Sequence, residues 1–383
     1  MRVLIAPDAF KGSAGNLTVA HAMATGIAQA DPSAEVIKCP LADGGEGTLT
    51  ALAAARPGVE TVVPVIGPHG EALNAAYWTG TDGLTVIESA RAIGLPQTRR
   101  RDPLTATSAG AGLICKAALE AGHTRIRIAC GGSATVDGGV GLLTSLGFEF
   151  LDSRAVALAP GGGSLVDLAK IVPPPQIPEG VEVWCDVNNP LLGSRGAATV
   201  YGPQKGADAA AVDQLEAGLT RLAAVMAATF GRDAEDVAGA GAAGGLAGGL
   251  WAAMNATLHP GFDVIADHVG LDGHLATADL VLTGEGRIDD QTSQGKTVAG
   301  VVDRARRAGV PVWAFAGEVT EAASKWAPQG VVLVPIVSGP MSLDEAVAAT
   351  TRLIRQSVAR SFALLQTSLS LPPPPRPQPP HTS

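Results

Sequence analysis

The stretch that decides the reading of this chain is Asp279–Lys296, DLVLTGEGRIDDQTSQGK. Val281 and Leu282 sit in a short apolar run, which suits a buried strand of a parallel sheet. The run is expected to stop at Thr283-Gly284 and to deliver Glu285, Arg287, Asp289, Asp290 and Gln291 in a loop. Gly295-Lys296 follow, and Val298, Val301 and Val302 open an apolar helical face. A strand that ends in glycine and polar groups before a helix sets those groups at the carboxyl edge of a sheet, where open α/β proteins bind ligands.

Working outward, the same layout recurs. An apolar run ending near Pro7 empties into Asp8 and Lys11, and Asn16 or Thr18 can cap the helix that follows. The run Glu35–Pro40 empties into Asp43, Gly44, Gly45 and Glu46, ahead of a helix through Leu49 and Leu52. The strand Arg125–Cys130 leads into GGSATVDGGVG, with Gly131, Gly132, Ser133, Thr135 and Asp137. The strand Val181–Cys185 opens onto Asp186 and Asn188.

Between these lie Glu60–Ile66, Ala72–Thr79 and Leu84–Ser89, joined by connections short enough to make antiparallel neighbours. Helices are expected at about Thr105–Ala121 and Ala209–Thr229, the latter with Leu215, Leu219, Leu222 and Met226 on one face. After Asp279 the β-α alternation returns, with strands at Leu280–Leu282, Val312–Phe315 and Val331–Val337 and a last helix over Leu343–Phe362. The fold class expected is α/β: a flavodoxin-like doubly wound parallel-sheet domain, residues 1–59 plus 279–366, split by an inserted mixed-sheet α/β domain, 60–278. The segment 371–383 (LPPPPRPQPPHTS from Leu371) reads as a disordered or polyproline tail.

Composition narrows the function. The 383 residues are 46% hydrophobic and 16% charged, with a mean hydropathy of +0.24, which excludes global disorder. Glycine supplies 48 residues, well above the average share of about 7%, clustered beside strands without a fixed repeat. The net charge of −9 and the lack of a long basic run argue against nucleic acid as a partner. Val237–Phe262 lacks Asp, Glu, Lys and Arg, but its Gly/Ala content makes it a packed segment and not a membrane span. Cys39, Cys115, Cys130 and Cys185 are widely spaced with no CxxC pair, which points to a reducing cytoplasmic setting without a zinc site.

Acidic groups, lysines and a glycine-rich loop suit Mg-nucleotide phosphoryl transfer, where the protein mainly positions substrates and neutralises charge. Each residue also has a plainer role open to it. Asp8 and Asp43 can cap the helices that follow them, and the glycines can serve only turns and close packing. Asp186 has less need of such a role, since Asn188-Asn189-Pro190 already supply turn chemistry. The seven histidines are scattered and suggest no catalytic set.

The motifs together resemble the bacterial glycerate kinase family of the type that acts on D-glycerate. They are APDAFKGS (Ala6–Ser13), PLADGGEGT (Pro40–Thr48), GGSATVDGG (Gly131–Gly139), CDVNNPLLG (Cys185–Gly193), YGPQKGA (Tyr201–Ala207), TGEGRIDDQT (Thr283–Thr292) and AFAGE (Ala314–Glu318). The resemblance spans about residues 1–360. It departs at Ala9, Val136 and Val298, where Ser, Asn and Pro are usual in the family, and the Pro-rich tail lies outside the pattern. It implies a split two-domain α/β enzyme that uses ATP and Mg²⁺ to phosphorylate D-glycerate, with 2-phosphoglycerate the favoured product, in an interdomain cleft.

Roles are assigned from residue chemistry. Lys11 and Lys296 are candidates for phosphate or carboxylate, Arg287 for a bidentate carboxylate contact, and Lys205 for phosphate. The loop Gly131–Thr135 would cradle phosphates. Asp186, Asp137, Glu285 and Asp289 are candidates to contact Mg²⁺, Asp186 and Glu285 foremost, and to orient or deprotonate the substrate hydroxyl. The chain is expected to act as a monomer or homodimer, away from membranes. The alternatives are a kinase for another small hydroxy acid and a non-catalytic ligand-sensing protein.

Overall fold

The computed structural model describes residues 1–289, 297–321, 323 and 330–369. In chain order the strands are β1 Arg2–Ile5, β2 Glu35–Lys38, β3 Gly58–Ile66, β4 Ala72–Gly80, β5 Thr85–Glu88, β6 Ile126–Ala129, β7 Glu149–Leu151, β8 Lys170–Val172, β9 Glu182–Trp184, β10 Thr257–His259, β11 Leu280–Ile288, β12 Val312–Val319 and β13 Val331–Pro335.

The two ends of the chain build one five-stranded sheet in the order β13-β12-β11-β1-β2, parallel throughout. Renumbered by occurrence this is 2-1-3-4-5, the flavodoxin-like order, with its switch point between β1 and β11. Side-chain alternation explains why β1 is apolar at every step from Val3 to Ile5. Val3 and Ile5 join a core with Val19, Met23 and Ile27 of helix Asn16–Ala30 and with Ile354, Val358 and Phe362 of helix Thr350–Leu369. Leu4 points the other way, into a second core with Leu49, Leu52, Val298 and Val301. Both faces of the strand are dry, so a continuous hydrophobic run is required.

The middle of the chain forms a six-stranded sheet, β10-β9-β6-β5-β4-β3, in which β3-β4-β5 are antiparallel and the rest parallel. One face packs under helices Ala109–Glu120, Ala209–Phe230 and Leu246–Met254. The other face sends Trp78, Val86 and Trp184 into the same core as Leu4, Leu49 and Val298. Helices Thr48–Ala55, Gly261–His268 and Thr297–Ala308 thus form a shared layer between the two sheets. Val298, one of the departures from the family pattern, is fully buried in that layer.

Several boundaries differ from expectation, each for a tertiary reason. β11 does not stop at Thr283 but runs to Ile288, pairing Glu285 with Ala316 and Arg287 with Glu318. Its partner β12 is equally long, so the backbone of the polar half is hydrogen-bonded across the sheet despite its glycines. The helix expected from Thr105 begins at Ala109, because the Ser108 N–H donates to Asp137 and the Ala109 N–H to the Thr107 hydroxyl. The last helix is broken into Leu343–Ala348 and Thr350–Leu369. At the break the Thr350 hydroxyl donates to the carbonyls of Ala346 and Val347, competing with the helix ladder. Val237–Phe262 holds the buried helix Leu246–Met254 and the short strand β10. Among the described residues no helix is long and apolar enough to cross a membrane.

Candidate active site

Four strand exits meet around Asp43. From β1 comes Lys11, whose Nζ lies 2.9 Å from Asp43 Oδ2. The other Asp43 oxygen accepts the Gly45 N–H at 3.1 Å, closing a tight turn. The β6 exit is bound to this turn directly: the Gly131 N–H donates to the Gly44 carbonyl at 3.0 Å. A Cβ on Gly131 would sit 2.8 Å from the Gly45 Cα, so only glycine lets the two loops touch. From the exit of β10, Gly261 lies so close that a Cβ there would stand 2.4 Å from the Asp43 carbonyl oxygen.

Asp8, nearly inaccessible at 3% exposure, accepts the Ala9 N–H and the Thr297 hydroxyl, the latter at 2.8 Å. Burial first, and the neighbouring charge of Asp43 second, push its carboxyl up to about 7. Lys11 is raised above the usual lysine range, chiefly by Asp43, with further help from Asp8 and Glu285. For Asp43 burial opposes ionisation, but Lys11 and the Gly45 N–H outweigh it and hold the carboxyl below its ordinary value. Neither Asp8 nor Asp43 caps a helix: helix Asn16–Ala30 starts at Gly15 and Thr48–Ala55 at Gly47, both without a side-chain cap. Asn16 does not cap either. Its amide donates to Leu41 and Gly47 carbonyls and fixes the turn that carries Asp43–Glu46.

Asp186, half-buried at the end of β9, accepts the Phe262 N–H on both carboxylate oxygens at 3.0 Å. It therefore does occupy a helix N-terminus, that of Gly261–His268. Burial still dominates, and with the negative field of Asp43 it lifts the carboxyl to about 8 against the Phe262 hydrogen bond. Asp186, Asn188, His259 and Phe262 line a cavity of about 190 Å³. Helix Gly261–His268 is held from behind by Arg304, whose buried guanidinium binds Asp263, Asp267 and Asp272. Arg304 and Thr297 lie on one helix, which thus touches both the Asp186 and the Asp8 ends of the site.

The remaining sequence candidates are placed differently. Asp137 is fully buried and accepts the Ser108 N–H and hydroxyl and the N–H groups of Gly139 and Gly141. Burial raises it in spite of these bonds. Lys205 is not a surface lysine: it is 3% exposed and donates to the Ser133 hydroxyl and the Thr135 carbonyl. Burial pushes its amine down to about 7. Lys205 thus ties down the Gly131–Thr135 loop, and Asp137 joins the Gly139–Gly141 turn to Ser108. Arg287 lies on β11, ion-paired with Asp289 and Glu318 at 3.3 and 3.4 Å. Glu46 lines a separate cavity with Glu88, Arg91 and Gln97. Lys296, Asp290 and Gln291 lie outside the described residues.

Sequence reasoning missed Thr297, Phe262 and Arg304. Pro260 before Gly261 was the available signal for a helix start, since proline is favoured where a helix begins. Nothing local marks Arg304, whose partners come from other helices.

Two α/β sheets whose strand exits gather a lysine, several carboxylates and glycine-loop amides make the architecture of a small-molecule kinase. The model of the glycerate kinase family matches residues 3–366. A glycerate 2-kinase of Escherichia coli (strain K12) is 40% identical over 356 residues, 90% of this chain and 93% of that protein. A glycerate kinase of Haemophilus influenzae is 42% identical over 328 residues, 84% of this chain and 87% of that one. The crystal structure of a candidate glycerate kinase 2 from Salmonella typhimurium LT2 superposes with a TM-score of 0.78 at 38% identity, covering 97% of this chain and all of that one. The chain belongs to the glycerate kinase family. Membership selects the enzyme over the ligand-sensing alternative.

Proposed function

We propose that this kinase transfers the γ-phosphoryl group of ATP to a hydroxyl of D-glycerate, giving 2-phosphoglycerate, in the cleft between two domains, 1–59 with 279–366 and 60–278. The observation that carries the reading is the meeting of Asp8, Lys11, Asp43, Gly131 and Asp186 at the carboxyl edges of both sheets. Lys11 is exposed enough to reach an anionic oxygen while remaining charged. With the Gly45 and Gly131 N–H groups given to Asp43 and Gly44, the exposed Gly132 is the loop position suited to bring a backbone N–H beside a phosphate oxygen.

Asp186 is the group suited to take the hydroxyl proton. It faces an open cavity, and a carboxyl lifted to about 8 balances proton affinity against ionisation near neutral pH. Asp8 is raised too, but it is sealed in and already bonded to Thr297. Burial first, and the charge of Asp43 as a further cause, raise both carboxyls, and a divalent cation beside them would favour their ionised forms. Glu285, and Asp186 in the alternative to its acting as base, are the residues that would hold Mg²⁺. Among the described residues no three His, Cys, Asp or Glu side chains form a metal cage of their own. When bound, Mg²⁺ supplies charge neutralisation at the transferring phosphoryl group. Arg287, on β11, is assigned to the substrate carboxylate.

The test is ADP release from ATP with D-glycerate and Mg²⁺, with NMR of the product to locate the phosphate. Folded protein that makes no phosphoglycerate overturns the reading, and a 3-phosphate product overturns the regiochemistry.

A further inference from the structure

Cys130 and Cys185 are far apart in sequence but adjacent in the mixed sheet. β6 and β9 are parallel neighbours in the register Ala129↔Trp184, so each cysteine is the next residue on its strand. The Cys130 N–H donates to the Trp184 carbonyl at 3.2 Å, which continues the pairing past the strand ends. Both side chains enter the core that also holds Ile128 and Val183, whereas Ala129 and Trp184 between them do not. The thiols therefore lie side by side on one face. Neighbouring strands are about 4.8 Å apart, inside the Cα separation of about 4.4–6.8 Å that a disulfide bridges. All four cysteines are free thiols, with Cys39 in the other core and Cys115 on helix Ala109–Glu120.

The two thiols are unequal. Cys185 lines the Asp186 cavity, while Cys130 is wholly enclosed. An accessible thiol beside an enclosed partner is the pairing of an attacking and a resolving cysteine.

We propose that Cys130 and Cys185 are a reversible thiol-oxidation site, in which a small peroxide entering the cavity converts the pair to a disulfide that locks the Gly131 loop to the Asp186 turn and lowers kinase turnover. The last clause rests on the function proposed above. The Cys185 thiolate attacks one peroxide oxygen; an S–O bond forms, the O–O bond breaks, and the departing hydroxide takes up a proton as water. The Cys130 sulfur then attacks the Cys185 sulfur. The S–S bond forms, the S–O bond breaks, and a second water leaves with the Cys130 proton. Two electrons pass from the thiols to the peroxide. The next residue after each cysteine belongs to the site, so the crosslink restricts both exits at once.

The experiment treats reduced full-length protein with hydrogen peroxide and follows intact mass, a peptide map and turnover. The expected product has lost two hydrogens, links Cys130 to Cys185, leaves Cys39 and Cys115 titratable, and reverts with dithiothreitol. Turnover should fall at least about tenfold and recover on reduction, within the range that misplaced positioning groups lose. Cys130→Ala should show neither the crosslink nor the dithiothreitol-reversible loss. Four thiols that still titrate, or Cys185 sulfinic acid without a crosslink, overturn the site. A crosslink with unchanged turnover overturns the control it exerts. Mass and thiol counts do not depend on kinase activity, and turnover before peroxide tests the function separately.

Discussion

The carboxyl edges of the two sheets present the same residue types and use them in opposite ways. At the parallel sheet Lys11 is largely exposed, and Asp8 and Asp43 share its field. At the mixed sheet Asp137 and Lys205 are buried, and the bonds assigned to them go to the protein itself, to Ser108, Gly139 and Gly141 for Asp137 and to Ser133 and Thr135 for Lys205. A charge at a strand exit is thus available to a ligand only when the fold leaves it accessible and incompletely bonded. Asp186 is the exception on its side, because one backbone N–H serves both its oxygens and a cavity opens beside it.

The most severe way to break this contrast is Asp186→Asn. It keeps size and most hydrogen bonding but removes the charge, so turnover should fall at least about a hundredfold with the fold intact. Partial recovery at high Mg²⁺ would make Asp186 a metal contact, a changed pH–rate profile would make it the base, and near-normal turnover would remove it from the site. The lysines sharpen the contrast next. Lys11→Ala should raise the Michaelis constant for ATP or glycerate while stability moves by less than about 1 kcal/mol, as for exposed ion pairs. Lys205→Met should instead cost about 1–3 kcal/mol of stability by stranding the Thr135 carbonyl. Reversed outcomes in kinetics and melting would place both lysines on the wrong side.

Proton linkage gives a gentler test. Asp8 and Asp186 are raised to about 7 and about 8, whereas an unfolded Asp titrates near about 3.9. The folded state therefore holds more protons between those values. The contribution of these two carboxyls to stability is full below about pH 4 and is lost as pH rises through 7 and 8. Asp8→Asn should flatten that fall in melting temperature, and a slope identical to the parent's would show that Asp8 is not raised. The smallest effect is expected outside the described residues: cutting after Ser368 should leave activity within about twofold, since a Pro-rich segment carries no apolar face to dock. A large loss would show that the tail packs.

How much was legible follows from the range of the forces involved. The apolar runs at Val3–Ile5 and Val281–Leu282, the helical face of Leu215 and Leu219, and the glycine clusters are local patterns, and they predicted the five-stranded parallel sheet and the helix correctly. Sequence also named Asp8, Lys11, Asp43 and Asp186, because chemistry at a strand end follows from where the strand ends. It misjudged the end of β11, where a long neighbour keeps Glu285 and Arg287 in the sheet.

What sequence by itself determined was the parallel sheet, the loops that leave its strands and the family. Only the tertiary structure decided which charges are free to act. Burial and hydrogen-bond partners for Asp137, Lys205, Thr297 and Arg304 come from segments distant in the chain. Desolvation and nearby charge, which set Asp8 and Asp186 apart from ordinary carboxylates, depend on distances that no local pattern encodes.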